Sequence, residues 1–353
     1  MENEKGLKAL RDELDTIDNK ILTLLNKRMQ IVQKVGQVKH QSGGAIYRPE
    51  REREIINRLD SLNDGLLNKA AIEAIFLEIF AVSRNLELPE KVAFLGPIGT
   101  FTHQASEMRF GAMSEYVSVS SIGGVFEAIK TNRAKYGVIP IENSTSGMVY
   151  DTLRAFNEYN VKIIAHFDTP IHHSFASNCD SIKDVKKIYS KDVAFGQCNK
   201  FLKEYGLEHI EQIPVESTAK AAKLALNEPN SAAICPKIAA KLNNLPILYE
   251  NIEDSSDNRT SFVIISNFDN AQSGNDNTAI LAKIPQKSGS LVEFLQDFKS
   301  ENINLEKIES HIISGELIFY IEFNGHFLDE KVQKIISLHQ NQIKILGSYV
   351  REE

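Results

Sequence analysis

Residues 6–39 read GLKALRDELDTIDNKILTLLNKRMQIVQKVGQVK, and their spacing decides the first part of the fold. Leu7, Leu10, Leu14, Ile17, Ile21, Leu24, Ile31, Val35 and Val38 recur at heptad spacing with no interrupting proline. That is one long helix with an apolar seam. At 1.5 Å per residue it would extend roughly 50 Å, so the seam needs other long helices or a second copy to cover it, and a dimer is expected. The seam has one break at position 28, where an apolar residue is due and Arg28 stands. A guanidinium in an apolar seam requires a carboxylate, supplied either by the protein, as a pair that fixes register, or by a ligand. Lys39 follows three turns later, within about 20° of the same face, which favours a ligand pocket. Arg11 is rotated about 100° from that line and should serve a different pocket, one in a partner subunit.

Working outward, Gly43-Gly44 ends this helix, Pro49 suits the first turn of a second running to about Asn63, and Leu66–Leu86 form a third. Arg48, Arg51 and Arg53 crowd the start of the second helix around Glu52. Several forked cations with one carboxylate suit a small dianion. Residues 1–88 are therefore all helix, and their charges balance at 14 Lys+Arg against 14 Asp+Glu. The whole chain of 353 residues carries a net charge of −7, without the basic stripe that a dedicated nucleic-acid binder requires. It has no run of apolar residues long enough to span a membrane, and Met1-Glu2-Asn3-Glu4-Lys5 lacks a signal-peptide layout, so the cytoplasm is the expected location. Cys179, Cys198 and Cys235 are too scattered for a disulfide framework or a zinc cluster.

At Leu88-Pro89-Glu90 the pattern changes to short β-branched runs alternating with amphipathic stretches, an α/β alternation with a largely parallel sheet, long enough for two lobes with a cleft between them. Three polar clusters lie at strand ends or entries, where open α/β sheets gather their ligands. They are Gly96-Pro97-Ile98-Gly99-Thr100-Phe101, Glu142-Asn143-Ser144-Thr145-Ser146-Gly147 and Asp257-Asn258-Arg259-Thr260-Ser261-Phe262. The first is not a GxGxxG, so a dinucleotide site is not indicated. A polar linker over residues 269–277 precedes a βαββαβ order, a compact ferredoxin-like unit.

The helical segment, from Ala9-Leu10-Arg11 through Arg28 and Lys39 to Tyr47-Arg48-Pro49-Glu50-Arg51-Glu52-Arg53, resembles the all-helical chorismate mutase domain that begins bifunctional chorismate mutase/prephenate dehydratases. The resemblance implies an intertwined homodimer in which Arg28 binds one substrate carboxylate and Arg11 reaches across to bind the other. It further implies that Lys39 contacts the ether oxygen, that Glu52 holds the hydroxyl, and that Ser83 and Arg51 complete the pocket. Arg48 stands where some members have an acidic residue. Glu87 falls where members carry Gln or Glu. To donate a hydrogen bond to the ether oxygen Glu87 must be protonated, so mutase activity should fall as pH rises.

The three polar clusters, with Gln197-Cys198-Asn199-Lys200-Phe201 and Glu216-Ser217-Thr218-Ala219, resemble the prephenate dehydratase domain. The resemblance implies a bilobed fold like that of periplasmic binding proteins, with Thr260 essential and with Thr100, Asn143, Ser144 and His173 lining the cleft. His173 also reads as a satisfied core histidine. The family's Thr-Arg-Phe is Thr260-Ser261-Phe262 here, with Arg259 one residue before, able to stand in only if its side chain turns inward.

The C-terminal unit resembles an ACT regulatory domain, which in this family binds phenylalanine at a subunit interface. Gly289-Ser290-Leu291-Val292 matches one family motif, and Glu309-Ser310-His311-Ile312 stands where the second reads Glu-Ser-Arg-Pro. A purely structural dimerisation module is the alternative. Domains are thus expected at 1–88, 91–267 and 278–353. The enzyme so implied converts chorismate to prephenate and then to phenylpyruvate with no cofactor and no metal. A solute-binding or sensor protein is the competing reading, which Arg28, Lys39, Glu52 and Thr260 speak against.

Overall fold

The computed structural model describes residues 2–42, 49–87 and 90–351. It divides into two units, one of the residues up to Glu90 with Phe110–Ser114, the other of Lys91–Arg109 with the residues from Glu115 onward.

The first unit is built on α1 (Glu2–Ser42), α2 (Pro49–Leu62) and α3 (Lys69–Glu87). Proline opens α2, where its missing N–H would have had no intrahelical partner. Both α1 and α2 pack on α3, around a small core of Ile56, Ile72 and Phe80. The heptad seam takes no part in that core: Leu10 is 60% exposed, Leu24 65% and Val38 68%.

In the second unit the chain first forms β1 (Lys91–Leu95), α4 (Phe101–Phe110), β2 (Glu115–Val119), α5 (Ile122–Lys130), β3 (Tyr136–Asn143), β4 (Gly147–Met148), α6 (Tyr150–Glu158) and β5 (Lys162–Pro170). It then crosses to β6 (Ser174–Ser177), β7 (Lys187–Ser190), α7 (Asp192–Gln197), α8 (Asn199–Glu204), β8 (Glu211–Pro214), α9 (Thr218–Asn227), β9 (Ser231–Cys235), α10 (Lys237–Leu242) and β10 (Ile247–Tyr249). It returns as β11 (Arg259–Ser266). Two sheets result, ordered β2-β1-β3-β11-β5, with β4 against β3, and β10-β6-β9-β7-β8. The expected largely parallel sheet is corrected to two mixed ones. β11 runs antiparallel to both β3 and β5, and β6 antiparallel to β9 and β10. Both departures occur where the chain changes sheet, so no crossover helix constrains the strand to run parallel to its neighbours.

The last segment forms β12 (Asp276–Ala282), α11 (Ser290–Ser300), β13 (Leu305–Ile313), β14 (Glu316–Asn324), α12 (Glu330–Leu338) and β15 (Ile343–Val350), in the expected βαββαβ order. Its sheet, β13-β14-β12-β15, packs one face on its own helices through Phe294, Phe298, Phe323 and Ile335. The other face joins the core of the first sheet, where Leu281, Tyr320, Leu346 and Tyr349 meet Phe126, Phe156 and Ile163. Every residue of β12 is buried as a result. Gly347 (φ +146°) lies so close to the Ile163 backbone that a Cβ could not fit.

Candidate active sites

In the helical unit α3 brings Ser83 to Arg28. The Arg28 guanidinium donates to Ser83 Oγ and lies over the Phe80 ring at 5.7 Å, while Ser83 Oγ donates to the Ile79 carbonyl at 2.6 Å. The break in the seam is therefore a positioned cation. Glu52 of α2 pairs with Arg84, which the sequence reading passed over although it adjoins Ser83. Arg84 is 7% exposed and also donates to the Phe110 carbonyl at 2.9 Å. The structure does not bring Arg51 to this cluster, because its guanidinium pairs with Glu54 at 2.7 Å on the exposed side of α2. Arg11 is exposed on α1. Arg48, and the side chains of Lys39 and Glu87, lie outside the described residues.

In the α/β unit β3 and β11 bring Asn143 and Thr260 together as register partners. Asn143 Nδ2 donates to Thr260 Oγ1 at 2.9 Å and to the Arg259 carbonyl at 3.0 Å. Asn143 Oδ1 accepts from the Thr145 and Ser146 N–H groups at 3.0 and 3.2 Å, which fixes the turn beyond the strand. Since Thr260 Oγ1 already accepts a hydrogen bond, its own proton is left to donate elsewhere. Ser144 Oγ accepts from the Arg259 N–H at 3.0 Å and donates to the Asp257 carbonyl at 3.3 Å, locking the entry to β11.

Strand alternation settles the role left open for Arg259. Arg259 and Ser261 point to the face opposite Thr260, Arg259 is exposed, and Ser261 Oγ donates to Asp168 at 2.5 Å. Arg259 thus does not take a place beside Thr260.

His173 lies on the first crossing between the sheets and is 2% exposed. Its Nε2 is bonded to Gln197 Oε1 at 2.9 Å, so Nε2 carries the proton and Nδ1 the lone pair, and Nδ1 is buried with no hydrogen-bond partner. Burial, the largest influence, holds the imidazole below its ordinary range, against the opposing pull of the Gln197 bond and Glu253. It is a neutral acceptor. Glu253, on the return crossing, accepts from the His173 N–H at 2.9 Å and bonds His172 Nδ1 at 2.6 Å, tying the two crossings together. Phe101 sets its ring edge-on to His173 at 5.3 Å. The adjacent Thr100 spends its hydroxyl on the turn, donating to the Pro97 carbonyl at 2.9 Å.

Sequence reasoning quoted Gln197 only inside a motif, and did not mark Glu253 or Thr169. The last is the register partner of Thr260 on β5, 1% exposed, with its hydroxyl unpartnered. No pattern in the sequence marks it, because its value lies in a cross-strand register. In the C-terminal sheet Gly289 (φ +89°) caps α11, while Glu309 and Ser310 lie on the edge strand β13.

A positioned arginine in the helical unit and, in the α/β unit, a threonine hydroxyl bonded by an asparagine and a buried imidazole acceptor put candidate groups for anion binding and for hydroxyl chemistry on separate segments of the chain. Comparisons with known proteins give the same division. Residues 10–88 match the family model for chorismate mutase type II, and residues 92–270 that for prephenate dehydratase. A bifunctional chorismate mutase/prephenate dehydratase of Aquifex aeolicus is 39% identical, over 97% of both chains. That of Pseudomonas aeruginosa is 36% identical over 99% of both. The solved prephenate dehydratase of Arthrobacter aurescens in complex with L-Phe is 31% identical with a TM-score of 0.67, covering 74% of this chain and 90% of its own. The chain belongs to the bifunctional chorismate mutase/prephenate dehydratase family. It joins both activities, which serve phenylalanine biosynthesis, on one polypeptide.

Proposed function

We propose that the two reactions run at the two clusters described above, with domains at 1–88, 91–267 and 278–353. The observation that carries the dehydratase assignment is the hydrogen bond from Asn143 to Thr260 Oγ1. Prephenate loses its ring hydroxyl and carbon dioxide together, and the difficult part is departure of hydroxide. A donor must meet that oxygen while the carboxylate sits in a poorly solvated place. A threonine is a feeble acid, but its oxygen accepts from the Asn143 amide and its proton is left to donate, so Thr260 donates to or relays a proton toward the leaving oxygen. Asn143 and Ser144 hold the strand end, and buried neutral His173 offers an acceptor to the substrate.

For the mutase, Arg28 binds one chorismate carboxylate with Ser83 fixing its guanidinium. Arg11, exposed on α1, serves the second carboxylate from a partner chain. Lys39, Glu52 and Glu87 complete the pocket, and catalysis consists of holding the compact conformer and stabilising charge on the breaking ether oxygen. The bare heptad seam supports a homodimer through α1, because covering each such side chain contributes roughly 1.5–3 kcal/mol.

The C-terminal unit is an ACT domain that binds phenylalanine at Gly289-Ser290-Leu291-Val292 and Glu309-Ser310 and inhibits the dehydratase. Its βαββαβ topology and the L-Phe complex of the Arthrobacter aurescens relative support this. Three unpaired thiols favour the cytoplasm. Incubation with chorismate alone tests the two reactions in sequence. Phenylpyruvate forming without added cofactor supports it, and accumulation of prephenate removes the dehydratase.

A further inference from the structure

We infer that Lys307, in the C-terminal sheet, is a positioning residue for the dehydratase site, acting on Asn143 through Glu142. Lys307 of β13 forms an ion pair with Glu142 of β3, and their side chains are only 21% and 28% exposed. A pair this sheltered is weakly screened, and either partner left alone keeps an uncompensated, half-buried charge. Glu142 immediately precedes Asn143. Strand alternation sends Asn143 toward Thr260 and Glu142 to the other face of the sheet, where it meets Lys307. The backbone of Glu142 is paired on both sides, with Ser261, the neighbour of Thr260, and with Met148. The last residues of β3 are thus gripped from the face opposite the chemistry by a side chain belonging to a different sheet.

Lys307 is itself fixed. Its strand partner is Glu322, whose carboxylate takes the Tyr320 hydroxyl and lies 3.5 Å from His166 Nδ1 on β5. Without the lysine, Glu142 faces a surface that already carries Glu322, and the repulsion is relieved by moving the end of β3. The Asn143–Thr260 hydrogen bond is the first contact such a movement disturbs.

The role rests on the placement of the dehydratase site at Asn143 and Thr260, and the two can fail separately. A Thr260→Ala chain that stays active removes the placement. A Lys307→Met chain at full rate beside an inactive Thr260→Ala chain removes only the positioning role. The experiment measures dehydratase kcat and KM for prephenate, with the mutase rate on the same preparation, in full-length Lys307→Met, Lys307→Arg and the reversed pair Lys307→Glu/Glu142→Lys. Lys307→Met is expected to lower dehydratase kcat about 10-fold with KM within about twofold and mutase unchanged. Lys307→Arg should recover most of the loss, and the reversed pair a smaller part of it, because it sets a carboxylate at position 307 opposite Glu322. Wild-type kcat in Lys307→Met overturns the inference. So does a loss that neither the arginine nor the reversed pair recovers, since damage to packing alone behaves in that way.

Discussion

Asn143 and Thr260 face each other as register partners on antiparallel strands, and the amide of the first donates to the hydroxyl of the second at 2.9 Å. Because the threonine oxygen accepts that bond, its own proton stays available to another acceptor. Thr260→Ala should abolish phenylpyruvate formation, by at least about 100-fold in kcat, the scale of losing a positioned proton donor. Mutase activity in the same chain should be retained. Asn143→Ala should fall by about 10- to 100-fold, since the hydroxyl remains but loses its amide donor. Equal loss of both activities in either variant would mean misfolding.

Arg28→Ala should remove mutase kcat/KM by about 100-fold or more, because a charge-assisted hydrogen bond to a substrate carboxylate is lost. Ser83→Ala leaves the guanidinium without its fixing oxygen and should cost less, about 5- to 20-fold. Prephenate supplied directly should still be dehydrated at the normal rate by both variants.

Leu10→Asp with Leu24→Asp places charges on the bare seam of α1. Sedimentation should show loss of the dimer, and mutase activity should fall with it if Arg11 completes the pocket of the partner chain. A variant that stays dimeric with full mutase activity would place the interface elsewhere.

The His173 imidazole is held below its ordinary value of 6.5 by burial, and that of His103 likewise. The unfolded chain therefore binds more protons than the folded one as pH drops below about 6.5, so both histidines cost stability on the acid side and none above it. Melting temperature should fall as pH is lowered from 6.5, and more gently in His173→Gln. An unchanged acid slope in that variant would show that His173 does not resist protonation.

Gly347→Ala should destabilise the second unit by about 1–3 kcal/mol, because a methyl group at φ +146° would strike the Ile163 backbone. Thermal melting measures this, and dehydratase activity below the transition reports whether the shared core still forms.

The sequence alone determined the parts of the molecule that depend on periodicity and local chemistry. The heptad from Leu7 to Val38 gives α1 its length and leaves a seam to be covered, Pro49 opens α2, and the βαββαβ order of the C-terminal unit follows from alternating runs. The polar clusters around Asn143 and Thr260 were legible because several motifs stand in one order. Short elements such as β7, α7 and β10 were not, since segments of three to six residues carry too few periods to register.

Only the tertiary structure decided which side chains meet. That Arg84 holds Glu52, that Arg259 faces away from Thr260 while Ser261 takes Asp168, and that Lys307 reaches Glu142 all depend on strand register and on packing between distant segments. These contacts join residues up to 165 positions apart. Each residue's local sequence is compatible with many partners, and burial in a shared core selects one.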